Sequence, residues 1–242
     1  WGDIIRIEDL NIDSVLICTP AKVASASFLS SIRPGFSGKV HHRHSLQSLK
    51  NALQGENNLI ITGIRNPLDR NISYFFQTYC LEIQNDFRTS ANNYEGEYCY
   101  VMPREELLET DTLELINLFF SHQNHFSFND WFYEFFEITK IVDTAFDKNV
   151  GIQIYSLPNN NYLMVYVYEK ILTNLNFIQS FFNIKEFRHE NNSSILNHKT
   201  KYKTFKDLIT LDEVYKTKLL NTPIMKYFYS DEAIEEFYRK YK

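Results

Sequence analysis

A loop that is rich in small residues and carries one lysine follows the first apolar run of the chain. The apolar run is Ser14–Thr19, and the loop reads Thr-Pro-Ala-Lys-Val-Ala-Ser-Ala-Ser from Thr19 to Ser27. Small residues let backbone N–H groups approach an anion closely, and a lysine adds a mobile positive charge. The residues expected to hold the anion are Lys22, Ala24, Ser25, Ala26 and Ser27. The other interpretation is a capped helix start with a solvent-exposed lysine.

A second polar loop follows another apolar run, Leu59–Ile64. It reads Arg-Asn-Pro-Leu-Asp-Arg from Arg65 to Arg70, and Ser73 stands eight residues after Arg65. An arginine at a strand end can bind a phosphate through its forked guanidinium group. The other interpretation makes Asp69 and Arg70 surface charges and Ser73 a hydroxyl on a helix face. Because the two loops follow buried strands of the same expected sheet, each strengthens the prediction made from the other.

The elements around these loops alternate between strand-like and helix-like segments. Strand-like runs at Ser14–Thr19, Lys39–His44 and Leu59–Ile64 are separated by helix-like segments at Ser25–Ile32 and Leu46–Leu53. This alternation predicts one α/β domain over residues 1–242, with a central parallel sheet, right-handed crossovers and flanking helices. Ligands bind such folds at the carboxyl ends of the strands, where both loops stand.

The rest of the chain is predicted to be mostly helical. The expected elements are helices at Asp69–Tyr79, Arg104–His122 and Asn129–Phe146, a hairpin within Tyr155–Glu169 that turns at Leu157–Asn161, a helix at Lys170–Phe182, a loop at Phe187–Phe205 and short closing helices, the last near Ser230–Tyr241.

Composition and charge exclude several classes of protein. A net charge of −5 argues against nucleic-acid binding by bulk electrostatics, so an anion site has to be a local reversal of sign. The cysteines Cys18, Cys80 and Cys99 have no paired spacing, which indicates neither a disulfide framework nor a zinc ribbon. No apolar run approaches the roughly 18 residues of a membrane span, so we expect no stable membrane insertion. The expected location is the bacterial cytoplasm, and the alternative is the Golgi lumen for a truncated membrane protein.

The two loops resemble the nucleotide-binding motifs of sulfotransferases that use 3′-phosphoadenosine 5′-phosphosulfate (PAPS). The first is similar to their 5′-phosphosulfate loop, Pro-Lys-x-Gly/Ala-Ser/Thr-Ser/Thr-Ser, with one extra residue between Pro20 and Lys22. The second is similar to their 3′-phosphate motif, Arg-x-Pro-x-x-Arg with a serine eight residues after the first arginine. The resemblance implies that the first loop holds the 5′-phosphosulfate and that Arg65 and Ser73 hold the 3′-phosphate. It also implies a P-loop-like three-layer sandwich and a donor that requires no metal.

Looser matches lie further along the chain. The segments Trp131–Tyr155 and Tyr227–Ile234 resemble parts of bacterial capsular-polysaccharide sulfotransferase-like proteins. Tyr168-Glu169 resembles the start of a Tyr-Glu-Asp-Leu segment common in sulfotransferases, although this chain continues Lys-Ile. The implied acceptor is a hydroxyl of a carbohydrate, in a capsular or surface polysaccharide.

The strand Lys39–His44 carries a histidine pair. On a strand, His42 and His44 point to the same face and His41 to the other. Neutral imidazole has a suitable pKa for removing a proton from an attacking hydroxyl. In uronyl 2-O-sulfotransferases a His-x-His pair on the corresponding strand has this role, so the resemblance implies that His42 and His44 are catalytic, with His44 slightly favoured. Three alternatives remain open: the histidines are a core or surface run, they belong to a metal site for which no third ligand is found nearby, or the base is an acidic residue such as Glu169.

The segment Asn197–Lys206 holds four lysines and no acid. In sulfotransferases a late basic loop closes over the nucleotide, and by this resemblance Lys201 is assigned to nucleotide binding, with Lys199 and Lys203 as further possibilities. A solvated loop is the other interpretation.

The sequence leaves two other functions open. One is a non-catalytic nucleotide- or glycan-binding relative of the fold. The other is a kinase-like phosphotransferase, against which the absence of Gly-x-x-x-x-Gly-Lys-Ser/Thr spacing around Lys22 argues.

Overall fold

The computed structural model of the protein describes residues 6–79, 104–190 and 199–241. Within these residues the chain forms a five-stranded sheet in the order β2-β1-β3-β5-β4. The strands are β1 (Ser14–Cys18), β2 (Lys39–Arg43), β3 (Asn58–Ile64), β4 (Ile152–Leu157) and β5 (Asn161–Val167). Neighbouring strands are parallel except for β4, which pairs antiparallel with β5. The carboxyl ends of β1, β2, β3 and β5 therefore lie at the same end of the sheet.

Helices cover both faces of this sheet. They are α1 (Ser25–Ile32), α2 (Leu46–Gln54), α3 (Pro67–Tyr79), α4 (Arg104–Glu109), α5 (Thr112–His122), α6 (Ser127–Thr139), α7 (Leu175–Phe182), α8 (Lys199–Leu208), α9 (Glu213–Leu220), α10 (Pro223–Phe228) and α11 (Asp231–Lys240). Successive side chains of β1 enter opposite cores: Leu16 packs in a core with residues of α2, α3, α5 and α6, while Ile17 packs with residues of α1 and α7. The predicted α/β class, with a mostly parallel central sheet between helices, is confirmed.

Burial on both faces explains why β3 and β5 are almost continuously apolar. Parallel strands covered on both faces lose the alternation of apolar and polar residues that half-exposed strands keep. β2 lies at the edge and keeps that alternation, with Val40 and His42 partly buried and Lys39, His41 and Arg43 exposed. The predicted hairpin is also confirmed, since Leu157 of β4 pairs with Asn161 of β5.

Three helices are shorter than the sequence predicted. The expected helix Arg104–His122 is divided into α4 and α5 because the carboxylate of Asp111 accepts a hydrogen bond from Leu113 N and caps α5. The helix expected to run to Phe146 ends at Thr139, after which Lys140 has a left-handed backbone. The helix expected from Lys170 begins at Leu175, after two short 3₁₀ turns.

The loop predicted at Phe187–Phe205 is wrong at its end, because α8 begins at Lys199. Phe205 of α8 is fully buried, and its ring packs against Phe75, Phe76 and Phe119. This contact gives the lysine-rich segment an apolar side that stabilises a helix. Residues 191–198 lie outside the described residues, as do Cys80 and Cys99. None of the helices in the described part of the chain combines the length and the apolar character that crossing a membrane requires.

Candidate functional site

The backbone of the first loop is held from several sides by side chains. Lys22 and Ala24 both have left-handed backbone conformations, with φ of 71° and 69°. Four carbonyl oxygens of the loop accept hydrogen bonds, those of Thr19 from His44 Nδ1 (2.7 Å), Ala21 from Arg70 Nε (3.3 Å), Lys22 from Arg65 Nη1 (3.1 Å) and Val23 from Tyr166 Oη (2.5 Å). Because the carbonyl and N–H of one trans peptide point in opposite directions, holding the carbonyls of Ala21, Lys22 and Val23 also orients the N–H groups of residues 22–24. The Thr19 carbonyl precedes Pro20, which has no N–H.

The N–H groups of residues 24–27 have no acceptor among the described residues. They belong to the start of α1, where a helix leaves its first N–H groups without intrahelical partners. Together with the helix dipole, they form a set of donors suited to an anion. This is the position where the sequence predicted an anion site.

Three positive charges surround this loop. Burial, together with the nearby charges of Arg65 and Arg70, lowers the pKa of Lys22 to about 8. No described residue accepts a hydrogen bond from the Lys22 ammonium group. These cationic side chains stand together in a chain whose net charge is −5, and an anion at this point would relieve the repulsion that the arginines exert on Lys22.

Arg65 joins the second loop to the first. Its guanidinium lies over the ring of Tyr168, 4.3 Å from the centroid, while Nη1 binds the Lys22 carbonyl. Its buried Nε has no partner among the described residues. Stacking and the bond to Lys22 orient the guanidinium and leave part of its donor set available for an anion.

Glu169 holds the peptide that follows Arg65. Its Oε1 accepts a hydrogen bond from Asn66 N and its Oε2 accepts one from Tyr229 Oη, each at 2.8 Å. Burial raises the pKa of Glu169, and the bonds from Asn66 and Tyr229 partly offset that rise. Both carboxylate oxygens are engaged inside the protein, which argues against the acidic base considered from the sequence.

Asp69 and Arg70 are buried, with exposed fractions of 6% and 4%, so their interpretation as surface charges is wrong. The Asp69 carboxylate accepts hydrogen bonds from Lys206 (2.8 Å), Lys240 (2.5 Å), Tyr241 (2.7 Å) and Asn66 (3.1 Å). Burial alone would raise the pKa of Asp69, but the charges of the two lysines outweigh it and hold that pKa well below its usual range. The second loop is thereby attached to α8 and α11.

Ser73 lies on α3, one helical turn after Asp69, and is buried with an exposed fraction of 8%. No described residue forms a hydrogen bond with its hydroxyl group. This position agrees with a place near the second loop, although no hydrogen bond joins Ser73 to Arg65.

Lys201 is bonded elsewhere. Its ammonium donates a hydrogen bond to the carbonyl of Thr110, between α4 and α5 (2.6 Å). The lysine of this segment that reaches the second loop is Lys206, through Asp69. No hydrogen bond joins Lys201 to the first or the second loop, so the nucleotide role assigned to it stays a prediction.

The serines of the first loop differ in their surroundings. The Ser27 hydroxyl accepts a hydrogen bond from Glu190 N (3.0 Å), and Ser31, one turn later, accepts one from Arg188 N (2.7 Å). The chain at residues 188–190 therefore lies across α1. Ser25 is also buried, and its hydroxyl makes no hydrogen bond with a described residue.

The two histidines share one face, as predicted from their spacing. Their ring centroids lie 4.7 Å apart in an edge-to-face arrangement. Because the Thr19 carbonyl can only accept, its bond to His44 Nδ1 places the proton there and leaves Nε2 of the neutral ring as the acceptor. Burial, His44 and Arg43 lower the pKa of His42 to about 4, so His42 is neutral at pH 7. Nε2 of His44 makes no hydrogen bond with a described residue, which leaves this nitrogen available to an acceptor hydroxyl.

Sequence reasoning missed several residues of this site. Arg70 belongs to the Arg-x-Pro-x-x-Arg motif, but nothing in the sequence indicates that it bonds to the first loop. Tyr166 lies near the end of β5 and Tyr168 in the turn that follows, two positions later, so the geometry of a strand could have indicated a shared face. Lys240 and Tyr241 lie in a segment with no motif, and only the folded chain brings them to Asp69.

Within residues 6–79, 104–190 and 199–241, no group of three or more histidine, cysteine, aspartate or glutamate residues is placed to hold a metal ion. Comparison of the chain with family models, with curated proteins and with solved structures finds no match.

Proposed function

We propose that this protein is a sulfotransferase that moves a sulfuryl group from PAPS to a hydroxyl of a carbohydrate acceptor. The observation that carries the proposal is the first loop: four unpaired N–H groups, at residues 24–27, stand at a helix start beside three cations. Such a loop suits the 5′-phosphosulfate group, whose charge is spread over several oxygens. The proposed fold is correspondingly a P-loop-like three-layer sandwich.

The second loop supports a donor with a further phosphate. β1 and β3 are neighbours in the sheet, and the bond from Arg65 to the Lys22 carbonyl joins the loops that follow them. A 3′-phosphate beside Arg65 would accept hydrogen bonds from the guanidinium and from the Ser73 hydroxyl. One adenosine with anionic groups at both ends would thus contact both loops.

The proposed reaction needs positioning and charge stabilisation more than covalent help from the protein. The acceptor oxygen forms a bond to sulfur while the bond from sulfur to the bridging oxygen of PAPS breaks, and adenosine 3′,5′-bisphosphate leaves. Sulfuryl transfer is similar to phosphoryl transfer, in which the transition state is loose and in line. Lys22 would stabilise the charge that develops on the bridging oxygen, and the loop N–H groups would hold the 5′-phosphate.

His44 is proposed to take the proton of the acceptor hydroxyl on Nε2. The Thr19 carbonyl fixes its tautomer, and the same Thr19 begins the first loop, so one contact places the base relative to the donor. His42, neutral and packed edge-on to His44, would hold the ring in place. No metal is required, because the donor is already activated.

The acceptor and the location are also proposed from the resemblance. The segments Trp131–Tyr155 and Tyr227–Ile234 support a sugar of a capsular or surface polysaccharide as acceptor, with the reaction in a bacterial cytoplasm. Trp131 also contacts the histidine strand, since its Nε1 donates a hydrogen bond to the His44 carbonyl (3.1 Å).

Calorimetric titration with adenosine 3′,5′-bisphosphate tests donor binding. We expect saturable binding to the wild-type protein and a raised melting temperature, since a ligand that binds only the folded state stabilises it. The Lys22→Ala variant should bind more weakly, and Lys50→Ala, which removes an exposed lysine paired with Glu134, should bind like the wild type. Binding of ATP with Mg²⁺ in preference to the bisphosphate would contradict the proposal and favour a kinase-like protein.

Transfer is tested separately with ³⁵S-labelled PAPS and a panel of polysaccharides. Label in a polysaccharide fraction that requires intact Lys22 and His44 supports the enzyme. Tight bisphosphate binding with no transfer to any member of a broad panel would instead indicate the non-catalytic relative.

A further inference from the structure

The first and second loops are both contacted from the carboxyl end of β5 and the turn that follows it, by Tyr166 and Glu169. Tyr166 is the last residue but one of β5, and its hydroxyl donates to the carbonyl of Val23 in the first loop (2.5 Å). Its ring is fully buried, stacks on Phe28 of α1 with centroids 4.5 Å apart, and lies directly against Gly63. A side chain at Gly63 would overlap this ring, so the position of the hydroxyl depends on a glycine in β3.

The bond from Tyr166 acts on the first of the unpaired N–H groups. The carbonyl of Val23 and the N–H of Ala24 belong to one planar trans peptide and point in opposite directions. Because the carbonyl of Val23 points toward Tyr166, the N–H of Ala24 points in the opposite direction, away from Tyr166. The hydroxyl needs no contact with a ligand to have this effect.

Glu169 acts in the same way on the second loop. It accepts the N–H of Asn66, which shares a peptide with the Arg65 carbonyl, and so fixes the backbone from which the guanidinium extends. Tyr229 holds the other carboxylate oxygen and keeps the group in place. The two residues lie three positions apart in the chain, yet each supports a different loop.

We propose that Tyr166 and Glu169 are positioning residues, Tyr166 for the 5′ anionic group of the donor and Glu169 for its 3′-phosphate. This inference rests on the proposed function, because it assigns the two loops to the two ends of one nucleotide. It goes further by making the end of β5 the common support of both loops and by separating the two roles.

Fragments of the nucleotide separate the roles in a calorimetric test. Adenosine 5′-phosphate and adenosine 3′-phosphate are titrated into the wild type, Tyr166→Phe and Glu169→Met. Since a hydrogen bond contributes about 0.5–1.5 kcal/mol, we expect Tyr166→Phe to weaken 5′-phosphate binding about fivefold and to leave 3′-phosphate binding within about twofold. Glu169→Met should show the opposite selectivity. Glu169→Gln, which keeps an acceptor oxygen, should restore most of the affinity for adenosine 3′-phosphate.

Tyr162→Phe is the matched control, because Tyr162 lies on the same face of β5 and its hydroxyl bonds to no described residue. Tyr229→Phe gives a second test of the Glu169 role if Glu169→Met does not fold, and it should weaken 3′-phosphate binding selectively. A general loss of stability would weaken both fragments together and would overturn the positioning roles, as would unchanged selectivity in the variants. A wild type that binds neither fragment nor adenosine 3′,5′-bisphosphate would overturn the proposed function itself.

Discussion

Arg65 donates a hydrogen bond to the carbonyl oxygen of Lys22, joining two loops that are 43 residues apart in the chain. The bond makes the two cationic loops one unit: a displacement of either backbone changes the position of a charge in the other. It also keeps two positive side chains near each other, which is unfavourable until an anion binds between them.

Replacing Lys22 by alanine should lower the rate of sulfuryl transfer by at least about 100-fold, the usual size of one strong electrostatic contribution to a transition state. The charge on the leaving bridging oxygen would then lose the lysine that stabilises it. Steady-state turnover with saturating PAPS measures the effect, and Lys50→Ala controls for the loss of a lysine from an exposed ion pair. An unchanged turnover in Lys22→Ala would remove this role.

The rate should also depend on pH through Lys22. Burial and the neighbouring arginines lower its pKa to about 8, so the ammonium is charged at pH 7 and loses its proton as the pH rises through 8. We expect kcat/KM, which reports the free enzyme, to fall above that pH. In Lys22→Arg the charge persists, so the variant should be slower but should keep its rate over the same range. A wild-type profile that stays flat to pH 10 would contradict this assignment.

His44→Ala should lower turnover strongly while leaving the affinity for adenosine 3′,5′-bisphosphate within about threefold. A general base contributes about 10²–10⁴-fold to a rate, whereas the bond of His44 to Thr19 contributes only modestly to the shape of the loop. His42→Ala should have a smaller effect on turnover, because His42 supports the ring and does not take the proton. Rapid-quench measurement of the transfer step checks both variants. If both keep wild-type rates, neither histidine is the base.

Asp69→Asn should destabilise the fold by about 3 kcal/mol, since it leaves two lysines facing a buried site without their carboxylate. The pKa of Asp69 is held below its usual value, so its stabilising contribution is complete above the ordinary value of 3.8 and is lost as the pH falls below it. The difference between wild type and variant should therefore shrink in acid. Urea denaturation at pH 7 and pH 3 measures it. Glu134→Gln, which breaks an exposed pair with Lys50, should cost less than about 1 kcal/mol.

The positions of the first and second loops could be predicted because each follows a short apolar run that has to be a buried strand. The apolar runs that contain Val15 and Ile60 indicate which segments enter the core. The polar residues after each run must then lie at the end of a strand. The shared face of His42 and His44 follows from strand geometry in the same way.

The supports of the loops could not be predicted, because they come from contacts between distant segments. Asp69 looks like a surface charge when its neighbours in sequence are the only guide, and its lysines come from α8 and α11. The resemblance assigns Lys201 to the nucleotide, and in the structure Lys201 bonds to Thr110 while the burial of Phe205 sets which way α8 faces and directs Lys206 to Asp69. Burial of one aromatic ring thus decided which lysine reaches the loop.

Lys240 and Tyr241 bind a carboxylate that leaves the ribosome long before they do, 171 and 172 residues earlier in synthesis. While the chain is being made, the second loop is present but its carboxylate still lacks these two partners. Its support is complete only after α11 has been translated and has packed against α3. A chain cut just before Lys240 would keep every residue of the first and second loops and would still lose part of what holds the second loop in place.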